Sequence, residues 1–173
     1  MQKSPALFGF LGFAVTSILG TLLHFLYDLL GGAKWIAPFA ATSESTFEHM
    51  KLLFWPMLLF GGVEYFFFRD RADFLCIKLR SILLGLALIP ILFYTYNGAI
   101  GRSPDLVNIA IFFIAAAAAY HNETKMLLAP ERPCNARLSL VLLLVLTLLF
   151  LYFTQNPLKI GLFRDPITGN YGV

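Results

Sequence analysis

The chain has 173 residues, of which 58% are hydrophobic and only 13% charged, with a mean hydropathy of +0.74. A soluble domain carries about 25% charged residues, so this chain has too little polar surface to cover itself with water. The net charge of +3 does not point to nucleic acid, because the basic residues lie in short segments between apolar runs, where they serve as loop anchors at a membrane face.

Five apolar runs are long enough for spans of about 20 residues. The first is predicted from Pro5 to about Leu30, with Pro5 in the opening turn and Gly31-Gly32 at the exit. It lacks an A-x-A-like site and is too long for a signal peptide core, so it is expected to stay as the first span. The second runs from about Ser45 to Phe68, with Ser43 as the expected N-cap and Pro56 as an expected kink. The third runs from about Phe74 to Tyr96 and carries Pro90. The fourth opens on Ser103-Pro104-Asp105, a cap followed by proline, and ends near Tyr120. The fifth covers about Leu138 to Thr154. The expected fold is therefore an all-α, five-span transmembrane bundle over residues 1–154. Residues 155–173 form an extracytoplasmic tail, whose Asp165-Pro166 and Thr168-Gly169 turns would fold it back over a pocket mouth.

Lysine and arginine counts set the orientation. With the N-terminus inside, eight basic residues (Lys3, Arg69, Arg71, Lys78, Arg80, Lys125, Arg132, Arg137) lie on the inner side. Five (Lys34, Lys51, Arg102, Lys159, Arg164) lie outside. The bias predicts N-in, C-out. Cys76 and Cys134 then fall near the reducing cytoplasmic face, and no disulfide is expected.

In this arrangement the unusual polar residues gather at the outer end. His24 and Asp28 close span one, Glu44, Glu48, His49 and Lys51 open span two, Tyr94, Tyr96 and Asn97 close span three, and Asp105 and Asn108 open span four. Ionisable groups within a membrane are costly and mark functional sites by default. His24 and Asp28 are one helical turn apart, as are Glu44 and Glu48. Two histidines and up to three carboxylates suit zinc or another divalent metal. The expected ligands are His24, Asp28, Glu48 and His49, with Glu44 as general base and Asn97 and Asp105 orienting a substrate. A bland alternative stands beside this. His24–Asp28 would brace one helix, and Glu48 would pair with Lys51 three residues on. Glu64, deeper and towards the inner end, is expected to snorkel or to pair with Arg69, Lys78 or Arg80, with a proton-relay role as the alternative. Gly9-x-x-Gly12, Gly61-Gly62 and Ala115–Ala119 would let helices approach closely. There is no Gly-rich phosphate loop and no G-x-S-x-G elbow.

Three segments carry a family resemblance: Glu44-Ser-Thr-Phe-Glu-His-Met-Lys-Leu-Leu-Phe-Trp-Pro56, Phe93-Tyr-Thr-Tyr-Asn-Gly98 and Phe163-Arg-Asp-Pro-Ile-Thr-Gly-Asn-Tyr-Gly172. Together they resemble a family of small bacterial multi-pass membrane proteins known only as a domain of unknown function. The resemblance covers nearly the whole chain. It implies a bacterial cytoplasmic-membrane location and no activity. The span-two motif is also similar to membrane hydrolases of the alkaline ceramidase and progestin/adiponectin-receptor type, which hold zinc on transmembrane histidines. The chain departs from them in having five expected spans rather than seven and no terminal H-x-x-x-H.

Three readings follow. The first is a metal-dependent membrane hydrolase acting on a small or lipid-derived ester or amide. The second is a small-solute or ion transporter, supported by helices broken at Pro56 and Pro90. The third is an accessory subunit whose polar cluster is an interhelical hydrogen-bond network. The lipid bilayer is the one partner implied by all three.

Overall fold

A computed structural model of the protein describes residues 4–101 and 104–172. Among these, five helices are long and apolar enough to cross a membrane: α1 (Pro5–Leu29), α2 (Thr46–Phe68), α3 (Phe74–Ile100), α4 (Asp105–Leu128) and α5 (Ala136–Gln155). The expected cap at Ser103 and the anchors Lys3 and Arg102 lie outside the described residues.

The helix starts follow capping chemistry. Ser4, Ser45 and Asn135 each accept a first-turn backbone N–H through the side chain. Ser45, not the expected Ser43, therefore caps α2. Ser43 instead accepts the backbone N–H of Ser45. Helix α4 runs eight residues beyond the expected end at Tyr120. The polar stretch after Tyr120 reads as an exit, but Glu123 and Leu127 within it are buried against the bundle. Helices α2 and α3 run unbroken through Pro56 and Pro90, so neither offers the unwound backbone expected of a broken transporter helix.

Helix α2 lies at the centre, packed against α1 and α3, while α4 packs on α3 and α1. Small residues set these approaches. A Cβ on Gly85 would fall 2.6 Å from Leu53 and 3.3 Å from the Ala119 Cβ, and one on Gly12 would strike the Tyr120 ring. Helix α5 is peripheral, and its Phe150 stacks on Phe54 and Phe47. Many apolar side chains of α1 and α5, such as Phe10, Ile18, Leu144 and Leu148, point outward, as lipid-facing helices require.

The α1–α2 loop is held by side chains from α2. The Trp55 indole N–H donates to the Pro38 carbonyl at 2.9 Å, and Lys51 Nζ donates to the Ala37 carbonyl at 2.7 Å. The tail does fold back, but onto α2 and α5. Phe163 meets Phe47 at 4.5 Å and Phe153 at 5.5 Å between ring centroids. Among the described residues, none of the tail lines the cavities beside His49.

The cysteines require a correction. Cys76 and Cys134 form a disulfide, with Cα atoms 6.3 Å apart. The α4–α5 loop returns to the start of α3 and closes 58 residues of sequence separation. Asp73 fastens the same loop. It binds the Arg71 guanidinium through both oxygens at 3.0 Å and accepts the Arg132 backbone N–H. Arg71 in turn donates to the Leu127 and Ala129 carbonyls. Burial pushes the Asp73 carboxyl up, but the hydrogen bonds from Arg71 and Arg132 outweigh it and hold the group below its ordinary value.

Candidate metal centre

Three of the expected site residues converge. His24 comes from the last turns of α1, His49 from the first turn of α2 and Glu44 from the loop just before it. One Glu44 oxygen lies 3.7 Å from His24 Nε2, and the other lies 3.5 Å from His49 Nε2. Ligand atoms of all three lie within 4.8 Å of one another. Ligands at about 2.0–2.1 Å around a tetrahedral zinc sit roughly 3.3 Å apart, so small side-chain adjustments would close this set on an ion.

The His49 tautomer suits a ligand role. His49 Nδ1 lies 3.0 Å from the Ser45 carbonyl oxygen. A proton on Nδ1 donates there and leaves the Nε2 lone pair facing Glu44, as an outer hydrogen bond does for a metal-binding histidine. Each of the three side chains is between 20% and 42% exposed, so an ion has a route in.

The other candidates are placed elsewhere. Glu48 turns to the loop rather than to the histidines. Its carboxylate binds Lys51 at 2.7 Å and accepts the Thr42 backbone N–H at 2.7 Å. The expected Glu48–Lys51 pairing is thus present, and it is buried rather than a surface bridge. Lys51 also donates to Thr154 on α5. Asp28 is exposed, one turn beyond His24. Asn97 donates its amide to the Phe93 carbonyl of its own helix. The side chain of Asp105 lies outside what is described. Asn108, by contrast, lines the space beside His49.

That space is a cavity of about 250 Å³ between α1 and α4, with His24 and His49 at its polar end. Leu52, Phe112 and Phe113 form apolar walls. Gly20 lets α1 close tightly on α2 and α4 at this wall, since a Cβ there would fall 2.5 Å from Phe112 and 2.9 Å from the Leu52 carbonyl oxygen. At its rim, Phe25 and Ile109 are exposed apolar side chains.

Over residues 2–173 the sequence matches the model of a family described as of unknown function, DUF6512. The chain belongs to this family. No curated protein and no solved structure matches it. The family therefore supports the expected resemblance over the full length and assigns no chemistry to the DUF6512 site.

Proposed function

We propose that this protein is a divalent-metal-dependent membrane hydrolase of the bacterial cytoplasmic membrane, oriented N-in and C-out. His24, His49 and Glu44 are the metal ligands. The observation that carries the reading is that Glu44 presents a separate oxygen to the Nε2 of each histidine.

Two histidines and one carboxylate form a three-ligand set of the catalytic type, with a fourth position left for water or substrate. A zinc ion there supplies Lewis acidity and a water that ionises near neutral pH. The chain itself supplies the rest. Asn108 lines the cavity beside the apolar walls of Leu52, Phe112 and Phe113, which would hold an acyl chain. The reaction adds one water across an acyl C–O or C–N bond. The acyl carbon takes the hydroxyl of that water, and the leaving alcohol or amine takes its remaining proton. A cavity polar at one end and apolar along its walls suits a lipid-derived ester or amide.

The deciding experiment is metal content by inductively coupled plasma mass spectrometry on detergent-purified protein, wild type beside His49→Ala. About one zinc per chain, absent in the variant, is the expected result. Protein that remains metal-free after incubation with zinc would sink the reading.

A further inference from the structure

At the other end of the bundle, a second cluster contains two acids and one base. Glu64 of α2, Lys78 of α3 and Glu123 of α4 are each no more than 3% exposed. Lys78 Nζ donates to Glu64 Oε2 and lies 2.5 Å from Glu123 Oε1. The niche is built for this contact. Gly61 makes room for the lysine stem, since a Cβ there would sit 3.0 Å from Lys78 Cε. The ammonium also lies 5.4 Å from the centre of the Tyr120 ring. Tyr120 spends its hydroxyl on Thr16 of α1 at 2.8 Å. The titratable groups facing the cluster are thus Glu64, Lys78, Glu123 and Tyr120.

With all three ionised, Glu64, Lys78 and Glu123 carry one excess negative charge in a dry interior, where an uncompensated charge is strongly disfavoured. The geometry is also short of a hydrogen. The Glu64 and Glu123 carboxyls converge on the same ammonium, so Glu64 Oε2 and Glu123 Oε1 are held close to each other across Lys78 Nζ. Glu64 Oε1 and both Glu123 oxygens receive no hydrogen bond, the contact of Lys78 with Glu123 Oε1 being an ion pair by distance. Two carboxylate oxygens are both acceptors and repel at that separation unless a proton lies between them. The single ammonium is already divided between the two acids.

We propose that Glu64, Lys78 and Glu123 form a proton-binding site in which one proton is shared between the Glu64 and Glu123 carboxyls. Uptake of one proton makes the cluster neutral, and its release restores one negative charge. The proton belongs to the pair rather than to either residue. The site is about 6 Å, four residues, from the end of α2. It is independent of the histidine centre at the opposite end.

The test is infrared spectroscopy of the full chain in lipid nanodiscs, titrated through neutral pH with and without sodium. The wild type should show the carbonyl stretch of a protonated carboxyl, shifted on exchange into deuterium oxide. Either Glu64→Gln or Glu123→Gln should abolish that band while the melting temperature stays near wild type, because the amide replaces a neutral acid. The double variant strands Lys78 and should melt well below either. A wild type without the band, or a band that survives both single changes, overturns the proposal. So does sodium that removes the band and raises the melting temperature, since the occupant is then a metal cation. If neither variant folds, the presence or absence of the band in wild type still decides.

Discussion

Lys51 and Glu48 lie 2.7 Å apart in the opening turns of α2, both almost wholly out of solvent. Their pairing joins three separate segments, because Glu48 also holds the Thr42 N–H of the α1–α2 loop and Lys51 also reaches Ala37 and Thr154. Removing one member leaves a buried charge with no counterion. Lys51→Met should therefore cost about 3–5 kcal/mol, read as a large fall in the thermal midpoint in detergent. A midpoint near wild type would show that the loop does not depend on this pair.

The same geometry separates structure from chemistry at the outer end. Glu48→Gln should lower stability and leave bound metal at the wild-type level. His24→Ala and Glu44→Ala should lose at least 90% of it while the protein stays folded. Metal analysis beside circular dichroism on the four proteins checks this. Metal lost from Glu48→Gln and kept by Glu44→Ala would reverse the assignment.

Asp73 gives a pH dependence of known sign. Its carboxyl is held below its ordinary value in the folded chain, against about 3.9 when unfolded. The stabilisation is complete above the unfolded value and disappears as pH falls through the folded one. The stability gap between wild type and Asp73→Asn should be constant above about pH 5 and narrow below about pH 4. Acid titration of the thermal midpoint measures it, and a gap that widens on acidification would refute the assignment.

The Cys76–Cys134 bridge lies at the end that the charge bias places inside. Buried Lys51 and Lys78 are not free loop anchors, yet without them the bias still stands at seven basic residues against four. Under the proposed N-in orientation that end faces a reducing compartment, so acid-quenched cells should yield the dithiol, and air-oxidised purified protein the disulfide. Differential alkylation with mass spectrometry distinguishes them. A bridge already complete in quenched cells would place that end outside and reverse the orientation.

The spans were legible because apolar runs of this length have few other fates. The helix ends were less so. Hydropathy falls after Tyr120, but a helix continues wherever its next turns still have a surface to bury against, and α4 has α1 and α3 beside it. Ending α4 early hid Glu123, the third member of the Glu64–Lys78 cluster. Its signal was the spacing from Tyr120, three residues along the same helical face. The pairing of Glu64 with Lys78 was among the expected options, since few other cations lie near its depth. At the histidine centre the residue types were readable and the partition was not. Glu44 and Glu48 are equivalent by spacing. Only the path of the α1–α2 loop decides that one meets the histidines and the other meets Lys51. The disulfide was missed because a compartment argument says nothing about a loop that folds back onto α3.

The cavity between α1 and α4 has exposed apolar side chains, Phe25 and Ile109, at its rim. The lipid-derived substrate proposed above would enter there sideways from the leaflet and never have to dissolve in water. Its effective concentration is then a mole fraction in the surrounding lipid, and surfactant tails become competitors for the same groove. A turnover assay in excess micelles would dilute the substrate in two dimensions and block the doorway together, so an active protein would read as inert. Reconstitution at a fixed lipid-to-substrate ratio is the condition under which this centre can be measured.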